Sequence, residues 1–329
     1  MLSPMTTTVG PAQTYGPWPA VPWRGWGETL ATVHMWTQIV GKVRMTKSPA
    51  MNHWWHVALY VSARGLTTGP MPHGPRLFEI ELDFVGHRLA VHDSAGRTFG
   101  FDLEPMSVAT FYRRLLAGLR GMDIDVRIWP HPVEVAEAIP FEEDERHATY
   151  DRGHVEALFH RLTYAQRLLS QFRGEFIGKA SPVHFFWGGF DLAVTRFSGR
   201  TAPRHRGGVP NCPDWVMWEA YSHEVSSAGW WPLSPELGPA FYSYAYPQPP
   251  GFEGARVGPI ITHFNHEYGE FVMRDEDIST CPDPGRAILE FLQTSYEAGA
   301  DHAAWDRVAL EAPDLADGRG RPPHILVGR

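Results

Sequence analysis

Hydrophobic residues recur along this chain at two spacings. From about residue 28 to 40, Leu30, Val33, Thr37 and Val40 follow a helical period, and Gly41 marks the expected stop. Residues 53–63 read as a strand. His53, Trp55, Val57, Leu59 and Val61 share one face, and Trp54, His56, Ala58, Tyr60 and Ser62 share the other. Both faces carry aromatics, which predicts cover on both sides. In residues 78–84, Phe78, Ile80, Leu82 and Phe84 point inward, while Glu79, Glu81 and Asp83 form a solvated stripe. Residues 88–92, a turn at Asp93-Ser94-Ala95-Gly96 and residues 98–103 complete an antiparallel meander. Ser107 then caps a helix whose buried stripe is Val108, Phe111, Tyr112, Leu115 and Leu119, with Gly121 at its end. Residues 125–129 predict one more strand.

The pattern then repeats in kind. A helix over 154–172 carries Leu158, Phe159, Leu162, Ala165, Leu169 and Phe172. Residues 176–200 follow, with Phe190, Leu192 and Val194 alternating against Asp191, Ala193 and Thr195. Residues 220–231 and 241–246 predict a strand pair, residues 262–273 a hairpin turning at Tyr268-Gly269, and residues 287–298 a closing helix. Two landmarks align between the halves: Gly41-Lys42 with Gly178-Lys179, and His53 with His184, each histidine following a proline turn and preceding aromatics. The expected fold is α+β, with two related helix–antiparallel meander–helix units packed into one body. Residues 1–22 would be a flexible arm, 23–135 the first unit, 136–153 a linker, 154–312 the second unit and 313–329 a tail. The agreement of landmarks also fits chance, because a helix followed by a meander is a common unit.

Composition narrows the function. The 329 residues hold 43% hydrophobic side chains, ample for a core, and a formal net charge of −8 without a basic run. A nucleic-acid phosphate tracker needs clustered Lys and Arg, so no nucleic-acid partner is expected. Cys212 and Cys281 form no CxxC pair, which excludes a zinc ribbon and points to a reducing, cytoplasmic setting. No stretch of about 18 apolar residues exists, so no membrane span is expected. Residues 1–16 lack a signal-peptide pattern.

Candidate chemistry concentrates in the second half. Asp191 lies within an apolar strand pattern and needs a partner, because a lone buried carboxylate is costly. Lys179 and Arg196 are the nearest cations in sequence, either as a structural ion-pair network or as substrate-binding groups. His184 follows Pro182, and Gly188-Gly189 permits a bulge or close approach of a ligand. Around residue 223, alternation places Tyr221, His223 and Val225 opposite Ser222, Glu224 and Ser226, while Tyr242, Tyr244 and Tyr246 form a same-face stripe. His184, Glu224 and His223 are the candidate catalytic acid–base groups. Lys179, Asp191, Arg196 and Tyr221 are the candidate substrate-binding groups. His53, His56, His184, His223 and Glu224 are a pool without metal-ligand spacing, so neither a metal nor a cofactor is expected. GxSxG, GxGxxG and the P-loop pattern are all missing from the sequence.

The motifs NHWWHVALYVSARGLTTGP, FEIELDF, DVRIWPHPVEV, FIGKASPVHFFWGGFDLAVTRFSGR, AYSHEVSSAGWWP and FYSYAYP resemble an uncharacterised bacterial family, a domain of unknown function, over about residues 20 to 310. The resemblance implies a soluble, stand-alone bacterial protein and no particular activity. The residues themselves point to an enzyme acting on a small polar or anionic molecule by His/Glu acid–base chemistry. The alternatives are a non-catalytic small-molecule binding protein or a structural, partner-binding one.

Overall fold

The computed structural model describes residues 17–19, 25–233 and 237–313. The rest of the expected arm, the start of the first unit and the tail from 314 onward lie outside the described residues. One piece of the arm packs against the body. Trp18 is buried, edge-on to Tyr164 at 5.1 Å and to Trp230 at 5.9 Å.

The alternating stretches form two antiparallel sheets. The first holds β1 (Tyr60–Val61), β2 (Gly65–Thr67), β3 (Met71–His73), β4 (Arg76–Asp83), β5 (Arg88–Asp93) and β6 (Thr98–Asp102) in the order β1-β2-β4-β5-β6, with β3 also on β4. The second holds β7 (His184–Phe186), β8 (Asp191–Thr201), β9 (His223–Trp231), β10 (Ala240–Tyr246), β11 (His263–Asn265) and β12 (Glu270–Arg274) in the order β11-β12-β10-β9-β8-β7. A bridge between Leu59 and Phe185 joins the two edges, with backbone hydrogen bonds of 2.9 and 2.8 Å. The helices are α1 (Trp26–Lys47), α2 (Val108–Gly121), α3 (Arg152–Gly174), α4 (Asp214–Ala220), α5 (Asp275–Ile278), α6 (Pro284–His302) and α7 (Arg307–Leu310). Ser107, Asp151 and Asp283 cap α2, α3 and α6 through their side chains.

The α+β class, the meander β4–β6, the pair β9–β10 and the hairpin β11–β12 match the sequence pattern. Three expectations fail for local reasons. Gly41 does not stop α1, which runs six residues further, to Lys47. The Trp187 indole occupies the space where a Cβ on Gly41 would stand, so this glycine serves packing rather than termination. Residues 53–63 are not one strand. Asn52–Val57 forms 3₁₀ turns in which His53 (φ 56°) and Trp54 (φ 61°) are left-handed, and pairing is confined to the Leu59 bridge and Tyr60–Val61. Residues 125–129 form no strand. The strand orders of the two sheets also differ, because β12 intervenes between β10 and β11. His53 sits in a turn and His184 in a strand, so the fold gives no support to a duplicated unit.

The stretch read as a connection contributes to the interior. Phe141 is fully buried, and the Asp144 side chain accepts the backbone N–H groups of Arg146 and His147. α1 is buried on almost every side, polar Thr29, Thr32, Thr37 and Gln38 included, as befits a central helix.

Candidate functional site

Successive residues of a strand face opposite sides, and the second sheet uses this to separate core from cavity. Leu192, Val194, Ala228, Trp230 and Phe241 point into the core. Asp191, Ala193, Thr195, Val225, Ser227, Tyr242, Tyr244 and Glu270 instead line a cavity of about 360 Å³. Its floor is kept open by small side chains. Ala193 pairs with Gly229, and Gly229 pairs with Tyr242. A Cβ on Gly229 would lie 2.7 Å from the Tyr242 hydroxyl, so glycine leaves the phenol its place. The roof comes from Trp54 and Trp55, from Val216 and Met217 of α4, and from Glu134 and Cys212 in loops.

Three carboxyl groups converge here. Tyr242 donates its hydroxyl to Asp191 Oδ2 at 2.5 Å. Burial pushes the Asp191 carboxyl up to about 6, and the hydrogen bond from Tyr242 opposes that rise. Burial, with the charge of Asp191 second, pushes Glu270 up to about 8. Glu134 moves in the same direction for the same two reasons, burial first. Among the described residues lining the cavity there is no Lys or Arg. Burial also raises Tyr221 and Tyr244, whose hydroxyls meet at 2.7 Å.

Glu134 is held in a strained left-handed conformation (φ 59°). Its backbone N–H donates to the Pro210 carbonyl at 2.8 Å, and the neighbouring Val133 exchanges hydrogen bonds with the Gln38 amide. Gly188 yields the space into which the Glu134 carboxylate projects. Left-handed His53 and Trp54 line the same cavity, and such strain persists where surrounding structure enforces it, often at functional sites.

The residues singled out in the sequence divide into three groups. Asp191 and Tyr221 line the cavity. Lys179 stands beside it, donating to His53 Nε2 at 2.7 Å, so the His53 proton sits on Nδ1 and is shared with the Ala220 carbonyl at 3.1 Å. His223 packs edge-on against His53 with 5.6 Å between rings. His184, Arg196 and Glu224 lie elsewhere. His184 is fully buried among Trp55, Tyr60 and Phe186, and burial pushes its imidazole down to about 3. Arg196 is enclosed by the rings of Phe172, Phe176 and Tyr296 and, among the described residues, makes no ion pair with a carboxylate. Glu224 faces away, bound to Arg200 at 2.7 Å and to the Ser198 hydroxyl at 2.8 Å. Neither Lys179 nor Arg196 partners Asp191; Tyr242 does. Glu134, Glu270 and Cys212 were not singled out. The tyrosine stripe of β10 pointed to this face, but nothing local marks Glu134 or Glu270. Among the described residues, no group of three or more His, Cys, Asp or Glu side chains is placed to hold a metal.

Two bridged antiparallel sheets with a cavity-sized acidic face define an α+β protein built around a small-molecule-sized hollow. The chain belongs to the family of unknown function DUF5996, which matches residues 18–312. No curated protein and no solved structure matches it. Among the described residues, no helix is long and apolar enough to cross a membrane.

Proposed function

We propose that the acidic cavity takes a small organic amine and that its carboxyl groups handle protons on that ligand. The observation that carries this reading is the convergence of Glu134, Asp191 and Glu270 on one aromatic-walled cavity whose described lining has no Lys or Arg. Buried carboxylates lacking a counter-charge are costly when ionised, and a bound ammonium supplies that charge. Trp54, Trp55 and the tyrosines offer π-faces that attract a cation. Asp191 and Glu270 hold protons close to neutrality, which suits general acid–base work. The reading keeps an enzyme acting on a small polar molecule, with cavity carboxyls in place of His184 and Glu224. It favours a cation over an anion in this cavity. A cytoplasmic setting is part of the same proposal, supported by two free cysteines.

Calorimetric titration at about pH 8.5, above the raised carboxyl values, tests it with n-butylamine and choline against uncharged n-butanol. Saturable binding of the amines alone is expected, weakened at least about tenfold, or ~1.4 kcal/mol, in both Asp191→Asn and Glu270→Gln. Equal binding of butylamine and butanol, or no saturable binding of either amine, would overturn the reading.

A further inference from the structure

A second cavity, of about 530 Å³, adjoins the first. Trp54, Val57, Glu134, Phe186, Cys212 and Val216 line both, so the two share a wall. The character of the second is different. Met45, Trp129, Val133, Trp187 and Trp215 make it apolar, and one lysine, Lys42, lines it.

Lys42 is 1% exposed. Its Nζ stands 5.0 Å from the ring centre of Trp129 and 5.8 Å from that of Trp187. Among the described residues it has neither an ion-pair partner nor a hydrogen-bond acceptor. Among the described residues the amine is therefore held by two indole faces, with the Cys212 side chain close enough to interact with its charge. Burial pushes it down to about 8, so near neutral pH it still carries a proton for much of the time. A buried ammonium without an anion is costly, and cation–π attraction offsets part of that cost. Gly41 completes the arrangement: the Trp187 indole rests on it and so stands beside Lys42. The Gly41-Lys42 pair, a landmark in the sequence, has no part in the acidic cavity.

Other titratable groups face this chamber. Burial pushes the Cys212 thiol up to about 11 and the His56 imidazole down, so both are neutral. Glu134 lies on the shared wall, where burial and Asp191 favour its protonated form. Trp129 and Trp215 are 52% and 54% exposed, so large apolar surface stands open at the chamber.

We propose that this chamber binds a hydrophobic monocarboxylate, with the carboxylate on Lys42 Nζ and the apolar body against Trp129, Trp187 and Trp215. The carboxylate supplies the counter-charge that the protein omits, in a site where a charge-assisted hydrogen bond is shielded from water. The indoles supply the apolar contact. The inference is independent of the amine reading of the neighbouring cavity.

Tryptophan fluorescence and calorimetry with octanoate and 3-phenylpropanoate test it, with acetate and octan-1-ol as controls. Both hydrophobic carboxylates are expected to bind saturably and at least about tenfold more tightly than either control. Lys42→Met should remove that advantage over octan-1-ol, and Lys42→Arg should keep part of it. Thr46→Trp, which fills the chamber while retaining Lys42, should abolish carboxylate binding and decides the matter if Lys42→Met fails to fold. No saturable binding of either carboxylate to the wild type, unchanged affinity in a folded Lys42→Met, or unchanged affinity in Thr46→Trp would each overturn the proposal.

Discussion

Asp191 enters the cavity from a strand whose alternate residues, Leu192 and Val194, pack the core, and among the described residues lining the cavity its ionised form meets no Lys or Arg. Tyr242 answers part of that need across two strands, with its hydroxyl 2.5 Å from Oδ2. Alternation made Asp191 visible in the sequence, because its face in β8 is fixed by a period of two, whereas Tyr221 lies in the turn that ends α4, ahead of β9, and reaches the cavity without that period. Alternation could not supply the partner, since Tyr242 is 51 residues away and reaches Asp191 through the sheet. Arg196 shows the same limit in reverse. It is close to Asp191 in sequence, but its even-numbered position sends it to the opposite face, among Phe172, Phe176 and Tyr296. Replacing Tyr242 by Phe should raise the Asp191 carboxyl further and lower stability by about 1–2 kcal/mol. Denaturant melts and an infrared titration of the carboxyl measure the two effects. An unmoved Asp191 titration would show that the hydroxyl does not tune it.

At the scale of elements, the cavity exists because two adjoining strands place small residues where the sheet would otherwise fill itself. Ala193, Ser227 and Gly229 lie side by side across β8 and β9, through the pairings of Ala193 with Gly229 and Thr195 with Ser227. Such a floor is legible only once register is known. The meander of the first sheet needed no such knowledge, because its apolar and charged positions alternate cleanly. The loop bearing Glu134 had no periodic signal, and its placement depends on Gln38 of α1 and the Pro210 carbonyl, both distant in sequence. Gly229→Ala tests the floor directly. Its Cβ would stand 2.5 Å from the Leu192 carbonyl oxygen and 2.7 Å from the Tyr242 hydroxyl. A loss of about 1–3 kcal/mol in denaturant melts is expected from the overpacking. Wild-type stability in this variant would mean that the sheet yields easily and that glycine is not required there.

Across the whole molecule, buried ionisable groups give stability a pH dependence whose sign changes along the scale. Asp191 and Glu270 are raised from ordinary values of 3.8 and 4.5 to about 6 and about 8, so the folded chain binds more protons between those limits and stability falls as pH rises. His34 and His184 are lowered by burial from 6.5 to about 4 and about 3, so the unfolded chain binds more protons over that range and stability rises with pH. These two trends oppose each other below pH 6.5. Between 6.5 and about 8 the histidine contribution is complete, while Glu270 still titrates and Glu134 acts in the same direction. Above about 8, Lys42, lowered from 10.5, turns the slope upward again, because the unfolded lysine holds its proton longer. The expected profile therefore declines from pH 6.5 to 8, by at most about 1.4 kcal/mol per pH unit for one group, and recovers from about 8 to 9, above which the Cys212 thiol, raised from 9.0 to about 11, opposes the lysine. Glu270→Gln should flatten the decline, and Lys42→Met should remove part of the recovery. A bound amine should oppose the decline by stabilising the ionised carboxylates, so the thermal gain from n-butylamine should grow between pH 6.5 and 8.5. Thermal melts across that range, with and without the amine, decide both points: a slope unchanged by Glu270→Gln would show that the Glu270 carboxyl does not titrate with folding, and a constant amine gain would detach the ligand from the carboxyl groups.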